Sequence, residues 1–151
     1  MNKTIEQLIE SLDTIPFLFV GSGLSRRYYN LPDWTGLLKV MVDKLNQGSF
    51  AFRSYEDRAS FENNPYGINP KIASFIEEDF NKEWFRNPKI RSLDETYTEK
   101  VDKGCSPFKA ELSYYLKQKS MLCPDLKDEV TLLNNVAKKS IAGIITTNYD
   151  L

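Results

Sequence analysis

Two short stretches of this chain hold residue types that can do chemistry. The first is Gly21-Ser22-Gly23-Leu24-Ser25, which follows the apolar run Phe17-Leu18-Phe19-Val20. Glycine has no Cβ, so a ligand can come close to the backbone there. A Gly-x-Gly that directly follows a strand is where α/β folds cradle a phosphate on backbone N–H donors. Taken alone, the same three residues serve equally as a plain tight turn after a core strand. The second stretch is Thr146-Thr147-Asn148-Tyr149-Asp150, after the apolar run Ile141-Ala142-Gly143-Ile144-Ile145. An asparagine amide both donates and accepts, so it can hold a water or a ribose hydroxyl. An aspartate can accept from hydroxyls or stabilise a developing positive charge.

Both stretches need strands to position them. The runs Phe17–Val20 and Ile141–Ile145 are short and rich in aromatic and β-branched types, so they read as buried strands. If the two strands lie side by side and parallel, both loops open at their carboxyl ends, where open α/β sheets bind ligands. The residues from Gly21 to Trp34 read as a loop.

Most of the remaining chain reads as helix. Thr4 with Gln7 suggests a capping box, opening a helix over 4–13 with Ile5, Leu8, Ile9 and Leu12 on one stripe. Thr35 is placed to cap a helix carrying Leu37, Leu38, Met41, Val42 and Leu45, ended by Gly48. A short helix is expected within Tyr55–Glu62. Ile72, Phe75, Ile76, Phe80, Trp84 and Phe85 recur at helical spacing over 71–85, and their aromatics read as core or interface. Residues 86–106 alternate charges and read as an exposed connection. Helices are expected over 107–119, with Phe108, Leu112, Tyr115 and Leu116 inward, and over 125–139, with Leu126, Val130, Leu133, Val136 and Ala137 on one face. The fold class that follows is α/β: a Rossmann-like parallel sheet, incomplete in these residues, with a large helical insert of about 35–140 between two core strands.

Composition bounds the function. The chain has 151 residues, 41% hydrophobic and 13% aromatic, enough for a core. Net charge is −1, so no basic excess points to direct nucleic-acid binding. The apolar runs are too short to span a membrane. The N-terminus has no signal-peptide pattern, and the two cysteines, Cys105 and Cys123, form no Cys-x-x-Cys pair, so a reducing cytoplasm is the expected compartment. No metal site is expected. There is no histidine, which excludes serine–histidine, cysteine–histidine and histidine–metal chemistry within these residues. A chain stopping six residues after a core strand also suggests the N-terminal part of a longer polypeptide.

Two familiar phosphate motifs do not fit. The dehydrogenase fingerprint wants glycine at position 26, which is Arg26, and a strand-ending acid about twenty residues on, where Asp43 lies in a helical pattern. The P-loop's Gly-Lys-Ser/Thr is absent. What remains is a dinucleotide-type site of another kind. Here the chain resembles the sirtuin-like NAD-binding domains, in particular their divergent bacterial branch in anti-phage defence proteins. Sirtuins carry Gly-Ala-Gly-x-Ser after the first strand, and this chain has Gly21-Ser22-Gly23-Leu24-Ser25. They follow it with Ile-Pro-Asp-Phe, against Leu31-Pro32-Asp33-Trp34 here. Their Thr-Gln-Asn-x-Asp has its counterpart in Thr146-Thr147-Asn148-Tyr149-Asp150. The divergent branch, with Gly-Ser-Gly, Pro-x-Trp and Thr-Asn-Tyr-Asp, fits better still.

The resemblance implies that Gly21, Ser22 and Gly23 bind the NAD diphosphate. It implies that Ser25 and Asp33 line the site beside Thr147, which replaces the family's glutamine. Asn148 corresponds to the catalytic asparagine, and Asp150 to the residue that holds the nicotinamide or ribose. Family members cleave the nicotinamide–ribose bond of NAD, which is substrate rather than resident cofactor. The defence branch hydrolyses or cyclises the product and depletes NAD. Alternatives are a catalytically silent module that binds NAD or ADP-ribose, and an NAD-dependent protein deacylase. The family's catalytic histidine follows the Asn-x-Asp motif, so the chain alone is expected to be inactive. The aromatic-rich helical insert is the expected surface for a homo-oligomer or a defence-complex partner.

Overall fold

Aromatic and β-branched residues fit the pleated backbone better than the helix, and Phe17-Leu18-Phe19-Val20 is extended accordingly. It forms β1 (Phe17–Val20) in a computed structural model that describes Thr4, Gln7 and residues 15–45, 48–61, 65 and 67–146. Beside it lies β2 (Gly143–Thr146), pairing parallel, with Phe17 opposite Gly143 and Val20 opposite Thr146. Among the described residues these two strands are the whole sheet, and the rest of the ordered secondary structure is helical. Gly143 lies under the Phe17 ring, where an added Cβ would come within 2.9 Å and require the ring to shift. Ala142 N donates to Pro16 O at 2.9 Å and continues the pairing backward.

The helices are α1 (Ser22–Tyr29), α2 (Trp34–Lys44), α3 (Ala51–Ser60), α4 (Ile68–Arg86), α5 (Glu95–Asp102), α6 (Pro107–Lys119) and α7 (Lys127–Ser140). They fall into two compact units. One comprises residues 1–31 and 120–151 and holds β1, α1, α7 and β2. The other, Pro32–Lys119, holds α2 to α6 and is narrower than the insert expected over 35–140. No helix among the described residues is long and apolar enough to cross a membrane.

The strand unit corrects two expectations. Residues 21–34 are not one loop, because α1 begins a single residue after β1. Glycines and serines read as breakers, yet Gly21 is the helix N-cap in extended conformation, and Gly23 sits in the first turn. Asn30, at φ 50°, ends the helix in the left-handed region that asparagine tolerates. The strands are also not buried along their length, although Val20 is. Phe17 and Phe19 are 63% and 68% exposed, and Ile144 and Ile145 are 59% and 51% exposed. Hydropathy measures a preference for burial, but burial needs elements laid over both faces of a parallel sheet. The expected inward face of α7 contributes no buried residue. Thr4 and Gln7 do form the reciprocal capping box: Thr4 N donates to Gln7 Oε1 at 3.1 Å, and Gln7 N to Thr4 Oγ1 at 3.3 Å. The helix expected to follow over 4–13 otherwise lies outside the described residues.

The helical unit has its own core. Leu38, Met41, Ile72, Ile76 and Phe80 are all but inaccessible, and the Phe108 ring meets Phe80 edge-on with centroids 5.8 Å apart. The expected helix of 71–85 is here as the longer α4. Residues 86–106, expected as an exposed connection, instead form a 3-10 turn at Pro88–Ile90 and the helix α5. Their charges do face solvent, but Ile90, Tyr97 and Val101 are buried anchors between them. Asp94 starts α5 by accepting from Tyr97 N at 3.0 Å. Asn81 on α4 caps α6 from outside, its Oδ1 accepting from Phe108 N at 2.9 Å.

At the centre of this unit lies a carboxylate. Glu111 on α6 has no accessible surface. Its Oε1 accepts from Trp84 Nε1 at 3.0 Å and Ser92 N at 2.8 Å. Its Oε2 accepts from Lys44 Nζ at 2.5 Å, and the same ammonium donates to Ser92 Oγ at 2.8 Å. One side chain thus ties α2, α4, α6 and the turn before α5 together. The sequence reading assigned Tyr115 inward, whereas Tyr115 is half-buried and Glu111 takes the interior place.

Candidate functional site

The parallel register decides what the two chemical stretches can share. Val20 lies opposite Thr146, so the two strands end at the same carboxyl edge of the sheet. Thr147, Asn148 and Asp150 themselves lie outside the described residues. Gly21, Ser22, Gly23 and Ser25 are described, and they open α1.

The first turn of α1 has no side-chain cap. The early N–H groups of a helix lack intrahelical acceptors and carry the positive end of the dipole. Ser22 and Gly23 are exposed, Gly21 is half-buried, and Ser25 is buried behind them. Neither glycine has a positive φ. A Cβ built on either would meet no atom within 4 Å among the described residues. Among the described residues, neither backbone conformation nor packing therefore requires glycine at 21 or 23. Both positions lie at the carboxyl end of a strand with no side chain to hinder approach to the backbone.

Asp33 lies in the helical unit. It is exposed, and its Oδ1 accepts from Gly36 N at 2.8 Å, so it is the N-cap of α2 in place of the expected Thr35. Gly36 is tightly placed as well: a Cβ there would come 2.8 Å from Pro32 Cβ. Leu31-Pro32-Asp33-Trp34 is thus a helix-starting turn in which the aspartate has a structural duty. Asp33→Ala is expected to cost about 1 kcal/mol of stability in a urea melt, the usual loss for an N-cap. Asp33→Asn keeps a capping oxygen and is expected to cost little. A pair of losses equal in size would mean that the charge, not the cap, matters.

The far end of α1 is anchored. Arg27 Nε donates to Glu129 Oε1 at 3.2 Å, and its Nη2 to Glu129 Oε2 at 2.7 Å, a bidentate pair between α1 and α7. Tyr28 is buried, and its carbonyl accepts from Cys123 N at 2.7 Å. The Arg27 guanidinium is pushed up, chiefly by its hydrogen bond to Glu129. The Glu129 carboxyl is held below the usual glutamate range, first by the Arg27 hydrogen bond and then by one from Tyr28. A carboxyl lowered in this way stabilises the fold above its unfolded-state pKa, and the contribution is lost as pH falls through the folded value. Glu129 also stands in the first turn of α7, where a negative charge suits the helix dipole. Its partner lies 102 residues away, a pairing that no local pattern signals.

Among the described residues, no three histidine, cysteine, aspartate or glutamate side chains gather to hold a metal. Cys105 and Cys123 are free thiols. Comparison of the chain with family models, with curated proteins and with solved structures found no match.

Proposed function

We propose that this chain forms the nucleotide-binding part of a cytoplasmic NAD-consuming enzyme of bacterial anti-phage defence. On this reading, the enzyme breaks the nicotinamide–ribose bond, nicotinamide leaves, and the ADP-ribosyl group is captured by water to give ADP-ribose or by a group of its own to give a cyclic product. The sheet is the start of a Rossmann-like layer. Gly21, Ser22 and Gly23 offer backbone N–H groups to the NAD diphosphate, with Ser25 behind them. Asn148 holds the attacking water or the nicotinamide ribose, and Thr147 and Asp150 line that side; Asp33 adds to the site by resemblance only. One observation carries the reading: β1 and β2 pair in parallel, so the strands that lead into both motifs end at one edge of the sheet. An antiparallel pair would have sent them to opposite edges.

The same parallel sheet edge also suits a second reading, a module that binds NAD or ADP-ribose without cleaving it.

Calorimetric titration with ADP-ribose tests both readings at once, and heat of binding at micromolar to low-millimolar ligand is expected. In parallel, chromatography of NAD incubated with the chain is expected to show no nicotinamide release. Absence of ADP-ribose binding would remove the nucleotide proposal altogether. Enzyme-like release by these residues alone would show that the base is not a histidine.

A further inference from the structure

The pairing of Arg27 with Glu129 bears on more than stability, and its placement says why. α1 is only eight residues long. An isolated helix of that length is marginal in water, so its position depends on tertiary ties. Two ties hold its C-terminal end: the bidentate Arg27–Glu129 pair, and Tyr28 O accepting from Cys123 N at 2.7 Å. Its N-terminal turn carries the exposed Ser22 and Gly23 and has no side-chain cap. Glu129 in turn belongs to α7, the helix that runs almost directly into β2. The same ion pair therefore joins the helix that one motif opens to the helix that precedes the other.

We propose that Arg27 and Glu129 form a latch that positions the N-terminal turn of α1 relative to the carboxyl end of β2. Arg27 is then a positioning residue rather than a ligand for phosphate, its guanidinium being engaged with a carboxylate. This rests on the nucleotide reading above for its ligand, but the latch itself is a property of the fold. Arg26, one residue earlier, is also exposed, so the proposal separates two neighbouring cations.

The pair is exposed, with side chains 57% and 39% accessible, so the effect is modest. Exposed pairs contribute little, so the change to be read is about 1.4- to 5-fold. The test uses Arg27→Ala, Glu129→Ala, the double alanine variant, the charge swap Arg27→Glu with Glu129→Arg, and Arg26→Ala. Hydrogen exchange over residues 22–29 is expected to speed up in each single variant by a factor in that range, while exchange in 68–86 stays unchanged. The double alanine variant should match the singles, and the swap should recover most of the protection. ADP-ribose dissociation constants should rise by the same factors in the singles and recover in the swap. Unchanged exchange over 22–29 in the single variants would overturn the latch. Altered exchange with unaltered ADP-ribose affinity would overturn its positioning role. A swap that restores exchange but not affinity would make Arg27 a direct ligand and overturn the proposal as stated. If the unsubstituted chain does not bind ADP-ribose, the positioning role falls together with the nucleotide reading, and the exchange data still decide whether the latch exists.

Discussion

Glu111→Ala is expected to destabilise the helical unit by about 3–5 kcal/mol, the range seen when one partner of a buried ion pair is removed. Glu111 is fully buried and answers three donors: the Trp84 indole, the Ser92 amide and the Lys44 ammonium. Alanine takes the acceptor from the indole and the amide, and leaves the ammonium with Ser92 Oγ alone. Two of them are neutral N–H groups, and a buried donor left unsatisfied costs about 1–3 kcal/mol. The third is a charge whose side chain is only 21% exposed. Set against a total stability of about 5–15 kcal/mol for a typical domain, the loss is a large share. The double variant Glu111→Leu with Lys44→Met is expected to recover much of it, since replacing both members of a buried pair by apolar residues is often neutral. Urea melts followed by tryptophan fluorescence measure this directly, because Trp84 is itself one of the donors. A loss below 1 kcal/mol for Glu111→Ala would mean that water reaches the carboxylate and the network is not a buried one.

What the sequence made legible follows from the range of the forces involved. Helix 71–85 was readable because its core face repeats every three or four residues, and α4 buries Ile72, Phe75, Ile76, Phe80 and Trp84 accordingly. The Thr4–Gln7 box was readable because both bonds close within one turn. Both strands were readable as strands, and their parallel pairing as one of a few arrangements. Their burial was not, because exposure of Phe17 and Phe19 depends on what covers the sheet and not on the side chains themselves. α5 was hidden by its composition: one buried stripe of Tyr97 and Val101 among charges gives little periodic signal. Glu111 was the hardest to read. A glutamate on an amphipathic helix reads as solvent-facing, and only the convergence of Lys44, Trp84 and Ser92 makes an interior place for it. The site was legible at the level of motif and of sheet edge. Which residues of the glycine turn are helical was not, because Gly-Ser-Gly competes equally for turn and N-cap roles.

Gly23→Ala is expected to strengthen the fold and to weaken nucleotide binding at least tenfold, and that opposition is the sharpest test of the site. Gly23 lies inside α1 with a helical backbone, and a Cβ there meets nothing within 4 Å among the described residues. Alanine removes backbone entropy from the unfolded chain, so a gain of up to about 1 kcal/mol is expected. Gly21→Val is a companion test. Gly21 has φ −107° and ψ −178°, an extended conformation open to valine, so the change in stability should stay within about 0.5 kcal/mol. For a diphosphate seated on the N–H groups of this turn, the new carbon atoms occupy the approach. Hydrogen bonds to an anion are strong and short, and lengthening them by a carbon's width removes most of their value. A loss of affinity for ADP-ribose of at least tenfold, about 1.4 kcal/mol, is therefore expected in either variant. Calorimetry gives the affinity and a thermal melt gives the stability on the same samples. If both variants hold their fold and bind ADP-ribose like the unsubstituted chain, these glycines make only a turn. If instead either variant unfolds, the open space at that position is filled by some element of the molecule, and glycine is there for packing.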